Sequence, residues 1–233
     1  MGPSDKDEPP VPVSASRAEP QARTYSPARM EAFSDGVFAF AITLLVLDLV
    51  VPKAEGSHDL LRAFLAEWPQ YLAYVVSFAT IGAIWLAHNA ITNRLRHVTP
   101  TFLRLNLLLM MLVAFIPFPT RFLSEYINTP RSETIAVAIY GIAFLVLTCA
   151  VLLLWWYARI HGLLSVDPED VESSVYTQRL LPGIAVYVVL IVLGFFAPVA
   201  AVAGYLVLAL YFIVPLRLRR RPSPPGAADP SAR

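Results

Sequence analysis

Three polar residues interrupt the first long apolar stretch of the sequence, residues 29–51: Asp35, Thr43 and Asp48. An ionisable side chain inside a membrane span is costly, so each carboxylate is a candidate for structural pairing or for handling cations or protons. Asp48 lies near the end of the stretch, where a carboxylate can also reach the lipid–water interface without any functional role. Asp35 lies about two turns in, and its burial there requires hydrogen-bond donors from neighbouring helices.

The second apolar stretch, residues 69–92, supplies such donors. Four polar residues fall at i, i+3, i+4 and i+7 on one face of a helix: Trp85, His88, Asn89 and Thr92. We predict that Asp35 pairs with His88 or Asn89, and that the Trp85 indole is a further donor. The network serves either to hold helices together or, because histidine titrates near neutral pH, to handle protons. No third residue at a suitable spacing favours a metal site.

Helical geometry divides the first stretch into two faces. One face carries an apolar ladder with a threonine beside it: Phe40, Leu44, Leu47 and Thr43. Asp35 lies about 140° around the helix from Phe40, and Ser34 lies about 120° away on the other side. We therefore expect Ser34 and Asp35 to face neighbouring helices, while the ladder faces elsewhere.

Positioning these residues requires a bundle of membrane helices. The 233 residues are 57% hydrophobic and only 15% charged, against roughly 25% charged in soluble proteins. A crossing helix needs roughly 20 mostly apolar residues, and four segments qualify: 29–51, 69–92, 102–119 and 134–157. The run from Leu180 to Leu216 is about 54 Å long as one helix, and Pro198 divides it into 180–197 and 199–216. The sequence predicts an all-α integral membrane protein with six transmembrane helices, within residues 26–221.

Charge placement predicts the orientation of these spans. With the amino terminus inside, 14 of the 18 Lys and Arg residues lie on the inner side, including the cluster Arg217–Arg221. The positive-inside rule then places both termini in the cytoplasm, as an even number of spans requires. Residues 1–25 and 222–233 are polar and rich in proline, and we predict disordered cytoplasmic tails. A net charge of +1 gives no support for nucleic-acid binding, and Cys149 alone excludes a disulfide within the chain.

Residues 29–35 (RMEAFSD), followed by 43–47 (TLLVL), resemble the RxxxFSD signature of the transmembrane protein 175 family of potassium channels. The motif positions are Arg29, Phe33, Ser34 and Asp35. The Trp85, His88 and Asn89 face and residues 114–120 are also similar to the family, and the resemblance covers roughly residues 26–216. It implies the prokaryotic type, in which one six-span repeat assembles as a homotetramer in the cell membrane.

The resemblance further implies a potassium-selective channel in which the first helix of each of four copies lines a central pore. The family's narrowest ring is a leucine or isoleucine five residues after the motif aspartate, and Phe40 stands there in this sequence. Thr43 corresponds to the family's threonine layer. Four phenylalanines form a bulkier ring and predict a small, largely closed potassium leak. Asp48 is placed near the outer mouth, and Arg29 either at the cytoplasmic mouth or against a neighbouring subunit.

Two other functions are open to such a sequence. One is a proton-coupled or proton-conducting transporter that uses Asp35 and His88, although no inverted repeat or pair of interrupted spans supports it. The other is an enzyme or scaffold, but no Ser/His/Asp or Cys/His arrangement lies at a common depth. We therefore expect no catalysis, no cofactor and no metal beyond permeating K⁺, with potassium ions and the lipid bilayer as partners.

Overall fold

The computed structural model describes residues 26–52, 57–165 and 171–214, and its regular elements are all helices. Their bounds are α1 Pro27–Leu47, α2 Ser57–Ala66, α3 Trp68–Thr92, α4 Pro100–Phe115, α5 Pro117–Tyr126, α6 Ser132–Ile160, α7 Val171–Gly194 and α8 Pro198–Ile213. The predicted tails at 1–25 and 222–233, and the cluster Arg217–Arg221, lie outside the described residues. An antiparallel bridge between Leu95 and Leu164 joins the segments that follow α3 and α6.

Within the described ranges, four helical segments are long and apolar enough to cross a membrane: Pro27–Leu47, Trp68–Thr92, Pro100–Tyr126 and Ser132–Ile160. Two shorter apolar segments follow. One is Pro182–Gly194, the second part of α7, and the other is α8, Pro198–Ile213. The chain is thus an all-helical, multi-pass membrane protein. The long apolar run near the carboxy terminus divides at Pro198, where proline occupies the first position of α8.

Several helix boundaries differ from those predicted. The first helix ends at Leu47 rather than near Val51, and α2 occupies part of a predicted loop. The third predicted span, 102–119, is two helices that break at Ile116 and continue to Tyr126. Prolines 117 and 119 fall in the first turn of α5, where a missing backbone N–H removes no intrahelical hydrogen bond. A new helix therefore begins at Pro117, directly after the break at Ile116, instead of the span ending near residue 119.

The core of the bundle lies between α3 and α6. Helix α6 packs against α3, α4, α5, α7 and α8, and α3 also contacts α1 and α2. Gly141 of α6 lets α8 approach closely, because a Cβ there would overlap the Tyr205 hydroxyl. By contrast, α1 packs mainly against α3 and α4 and lies at the edge of the bundle. Only 28% of its apolar window is buried, compared with 50% for α3.

A chain of buried hydroxyl groups holds α5 against the core. The Ser77 hydroxyl contacts the Thr120 hydroxyl at 2.7 Å and the Tyr140 hydroxyl at 2.8 Å. Because Thr120 already donates to the Ile116 carbonyl oxygen, Ser77 donates to Thr120 and Tyr140 donates to Ser77. This chain links α3, α5 and α6, and it fixes the position of the helix that follows the break at Ile116.

Candidate pore helix and its polar contacts

The outward face of α1 has no cover within a single chain. Its exposed residues recur along the whole helix: Ala28, Arg29, Ala32, Phe33, Asp35, Gly36, Ala39, Phe40, Thr43, Val46 and Leu47. Phe40 is 63% exposed and Leu47 is 76% exposed, while Leu44 is partly buried at the edge of this face. The Thr43 hydroxyl donates to the Phe40 carbonyl oxygen at 2.8 Å. The threonine oxygen can still accept a hydrogen bond or contact a cation from this exposed face.

The opposite face of α1 is buried against α3 and α4. Its members are Met30, Ser34, Phe38, Ala41 and Leu45. The helix is therefore oriented by packing of this inner face, which turns the side chains of the outer face away from the bundle. Ser34 is the polar member of the buried set, and it requires hydrogen-bond partners there.

Those partners form a chain that sequence reasoning did not predict. The Ser34 hydroxyl donates to the Met30 carbonyl oxygen at 2.9 Å and accepts from Nδ2 of Asn106 at 2.9 Å. Oδ1 of Asn106 contacts Nε2 of His88 at 2.8 Å, so His88 is the donor in this bond. Asn106 comes from α4, and the signal that could have identified it is a lone amide within an apolar span.

Of the donors predicted for Asp35, the structure confirms the Trp85 indole and not His88 or Asn89. Its Oδ1 accepts a hydrogen bond from Nε1 of Trp85 at 2.9 Å, and its side chain is exposed. The predicted pairing of Asp35 with His88 or Asn89 is corrected, because His88 turns toward Asn106 and the Asn89 side chain accepts from Asn93. The physical reason is the rotation of about 100° per residue along a helix, which directs Ser34 and Asp35 toward different neighbours.

His88 itself is buried among apolar groups. Its side chain is 1% exposed, and its ring packs against Phe38 with centroids 5.5 Å apart. Nδ1 has no hydrogen-bond partner among the described residues. His88 thus joins the inner face of α1 through Phe38 and through Asn106, and it makes no direct hydrogen bond with Asp35.

The remaining predicted residues lie at the two ends of α1. Arg29 and Phe33 are exposed and line a groove of about 550 Å³ between the amino-terminal end of α1 and α4. At the other end, Oδ1 of Asp48 lies 3.9 Å from Nη1 of Arg121 on α5. Sequence reasoning did not predict Arg121 as a partner. No cluster of three or more His, Cys, Asp or Glu residues that could hold a metal ion occurs in the part of the chain described.

The fold and these contacts define a helical membrane protein whose first helix is fixed on one face and uncovered on the other. A model of the family described as the endosomal/lysosomal potassium channel TMEM175 matches residues 29–117. A potassium channel of Streptomyces collinus is 40% identical over 185 residues, which cover 79% of this chain and 90% of that protein. The chain belongs to the TMEM175 family.

A solved structure and a human relative extend this comparison. The crystal structure of a lysosomal potassium-selective channel TMEM175 homolog from Chamaesiphon minutus superposes with a TM-score of 0.72 at 36% identity, covering 80% of this chain and 96% of that one. The human endosomal/lysosomal proton channel TMEM175 is 34% identical over 152 residues, which cover 62% of this chain and 30% of the human protein.

Proposed function

We propose that the chain is a potassium channel whose central pore is built from four copies, each contributing α1. The observation that carries this proposal is the uncovered face of α1, which runs the length of the helix and combines small, hydroxyl-bearing and large apolar side chains. Gly36 and Thr43 offer little apolar surface for contact with lipid. In a pore, however, the absence of a side chain at Gly36 leaves space, and the hydroxyl of Thr43 supplies an oxygen atom for a cation. Relatives from Streptomyces collinus and Chamaesiphon minutus named as potassium channels support the same function.

Several residues of α1 have distinct roles in this pore. Phe40 forms the constriction, which limits conduction by excluding water. Thr43 lies one turn further along and presents its oxygen to the ion. Leu44 and Leu47 line the pore beyond it. Arg29 and Phe33 flank the cytoplasmic mouth. The hydrogen bond from Trp85 to Asp35 holds α1 against α3 on the cytoplasmic side of Phe40.

The same proposal includes the membrane topology. Residues 26–221 form one channel domain with six crossings, in which the apolar part of α7, Pro182–Gly194, and α8 are the two short final spans. Both termini, with the tails at 1–25 and 222–233, lie in the cytoplasm, and the channel resides in the cell membrane. The placement of 14 of 18 basic residues on the inner side supports this orientation.

Flux through liposomes that contain the purified protein tests this function. We expect electrogenic K⁺ flux that exceeds Na⁺ flux under matched gradients, and that persists when a protonophore removes any pH gradient. Liposomes without protein and liposomes with a boiled sample are the controls. Absence of K⁺ flux, or equal K⁺ and Na⁺ flux, would contradict a potassium-selective channel.

A second candidate function is proton conduction that uses Asp35 and His88. The naming of the human relative as a proton channel favours it. The geometry offers a weaker argument, since Asp35 bonds to the Trp85 indole and His88 bonds to Asn106. If protons are the transported ion, flux stops when the pH gradient is clamped, and Asp35→Asn or His88→Gln abolishes proton flux.

The Asp48–Arg121 pair predicts how charge at the outer mouth affects conduction. Arg121 offsets the carboxylate that attracts cations, but its side chain is 72% exposed and the pair is 3.9 Å apart. We expect Arg121→Gln to raise K⁺ flux by up to about twofold at about 10 mM salt, and the difference to disappear near 1 M, where charges are screened within about 3 Å. Asp48→Asn lowers the flux under the same low-salt conditions.

The matched control is Arg131→Gln, which removes an exposed arginine that makes no contact with Asp48 among the described residues. In the double variant Asp48→Asn/Arg121→Gln, the flux returns toward that of the unmodified protein. A flux that is independent of Asp48 and Arg121 at low salt excludes both side chains from the conduction path.

A further inference from the structure

A single side chain holds the backbone that leaves the carboxy-terminal end of α1. Gln70, in the first turn of α3, is 6% exposed. Its Oε1 accepts from the backbone N–H of Val50 at 2.6 Å, and its Nε2 donates to the Val50 carbonyl oxygen at 3.2 Å. Nε2 also donates to Oε2 of Glu67 at 3.0 Å. One side-chain amide thus pairs with both backbone groups of one residue, as a neighbouring β-strand does.

The three partners determine how this amide is oriented. The Val50 carbonyl and the Glu67 carboxylate can only accept, and the Val50 N–H can only donate. All three contacts require Oε1 to point toward the Val50 nitrogen, so the reversed amide would lose every one of them. Val50 lies beyond the end of α1 at Leu47. Its backbone groups therefore depend on Gln70, because they lie outside the regular hydrogen bonding of the helix.

A second contact between the same two helices lies about two turns into α1, at Asp35. Trp85 of α3 donates to Asp35 there. Val50 follows Asp35 by 15 residues, and Trp85 follows Gln70 by 15 residues. The two helices run antiparallel, so these equal spacings put both contacts in the same register, about 22 Å apart along α3. Phe40 lies between the two contacts.

We propose that Gln70 is a positioning residue for the pore: together with Trp85 it fixes α1 and the segment after it to α3 at two points, so that the residues between the two contacts keep one register. The proposal rests on the proposed function, since the register of α1 sets conduction only if α1 lines the pore. Without Gln70, the carboxy-terminal end of α1 is released from α3, and Leu47 loses its defined distance from the pore axis. We expect a pore in which the position of Leu47 is less well fixed to distinguish K⁺ from Na⁺ less well.

The test compares Gln70→Met and Gln70→Glu in the full chain reconstituted in liposomes. Methionine keeps the length of the side chain and removes all three hydrogen bonds, whereas glutamate keeps an acceptor for the Val50 N–H and loses both donated bonds. We expect hydrogen–deuterium exchange at the Val50 amide to accelerate at least about fivefold in Gln70→Met and less in Gln70→Glu. The ratio of K⁺ to Na⁺ flux is expected to fall at least about threefold in Gln70→Met.

Asn93→Leu is the matched control, because it removes an exposed amide at the opposite end of α3 whose side chain, among the described residues, donates to Asn89 of the same helix. It should leave Val50 exchange and the flux ratio unchanged. Unchanged exchange at Val50 in both Gln70 variants overturns the contact. Faster exchange with an unchanged flux ratio overturns the positioning role. If the unmodified protein protects Val50 but carries no K⁺, the proposed function fails while the contact between Gln70 and α1 stands. Gln70→Glu decides the outcome if Gln70→Met does not fold.

Discussion

Replacing Phe40 with alanine is expected to raise K⁺ flux through the reconstituted protein by about tenfold, which corresponds to a barrier lower by about 1.4 kcal/mol. Phe40 is 63% exposed on the uncovered face of α1 and makes no ring contact with another described aromatic residue. In the proposed tetramer four such rings converge on the axis, and water is unfavourable in so narrow an apolar opening. Alanine widens the opening and allows it to hydrate, so the ion keeps more of its water.

Phe40→Leu adds an intermediate side-chain size to the test that Phe40 forms the constriction. Leucine is one of the two residues, with isoleucine, that the family resemblance places at this ring, and it is smaller than phenylalanine. We expect flux to rise in the order Phe, Leu, Ala, measured as K⁺-driven dye response in liposomes at equal protein content. Phe118→Ala is the matched control, since this phenylalanine is 60% exposed on α5 and lies outside the proposed pore. Equal flux in the three Phe40 forms would remove this residue from the constriction.

The uncovered face of α1 is a feature that helical periodicity predicts well. The angle between successive residues places Phe40, Leu44 and Leu47 on one face with Thr43 beside it. In the structure Phe40, Thr43 and Leu47 are exposed, and Leu44 is partly buried. The same angle places Phe38 on the other side, where it is buried. Periodicity works here because α1 is one continuous helix from Pro27 to Leu47. Pro27 stands at its first position and Gly36 does not interrupt it, so the angle between successive residues stays constant.

The polar partners could not be predicted in the same way, because they depend on which helices become neighbours. Trp85 and His88 lie on one side of α3, and either could reach the amino-terminal end of α1. Packing of α4 against α1 brings Asn106 between Ser34 and His88, and nothing in the local pattern specifies that arrangement. A second cause is the position of a helix end. Arg121 lies beyond the predicted third span, 102–119, whereas α5 continues to Tyr126 and places Arg121 3.9 Å from Asp48.

The buried chain from His88 through Asn106 to Ser34 also predicts the largest effect on stability. Asn106→Leu keeps a similar volume and removes both the acceptor for His88 and the donor to Ser34. A buried donor left without a partner costs about 1–3 kcal/mol. For a chain of this size, we expect the midpoint of thermal unfolding in detergent to fall by about 3–10 °C. Asn93→Leu is the control, because its side chain is exposed and the same substitution there leaves no buried group unpaired.

The double variant His88→Phe/Asn106→Leu distinguishes two causes of the lower midpoint in Asn106→Leu: a buried polar group left unpaired, and a loss of packing. Removing both partners of a buried hydrogen bond is far less costly than removing one, because no donor is left without an acceptor. The Ser34 hydroxyl proton stays bonded to the Met30 carbonyl oxygen in either case. We therefore expect the double variant to recover at least half of the midpoint lost in Asn106→Leu. A double variant less stable than Asn106→Leu would mean that His88 supports α1 through its packing on Phe38, and that the hydrogen-bonded chain contributes little to holding the pore helix.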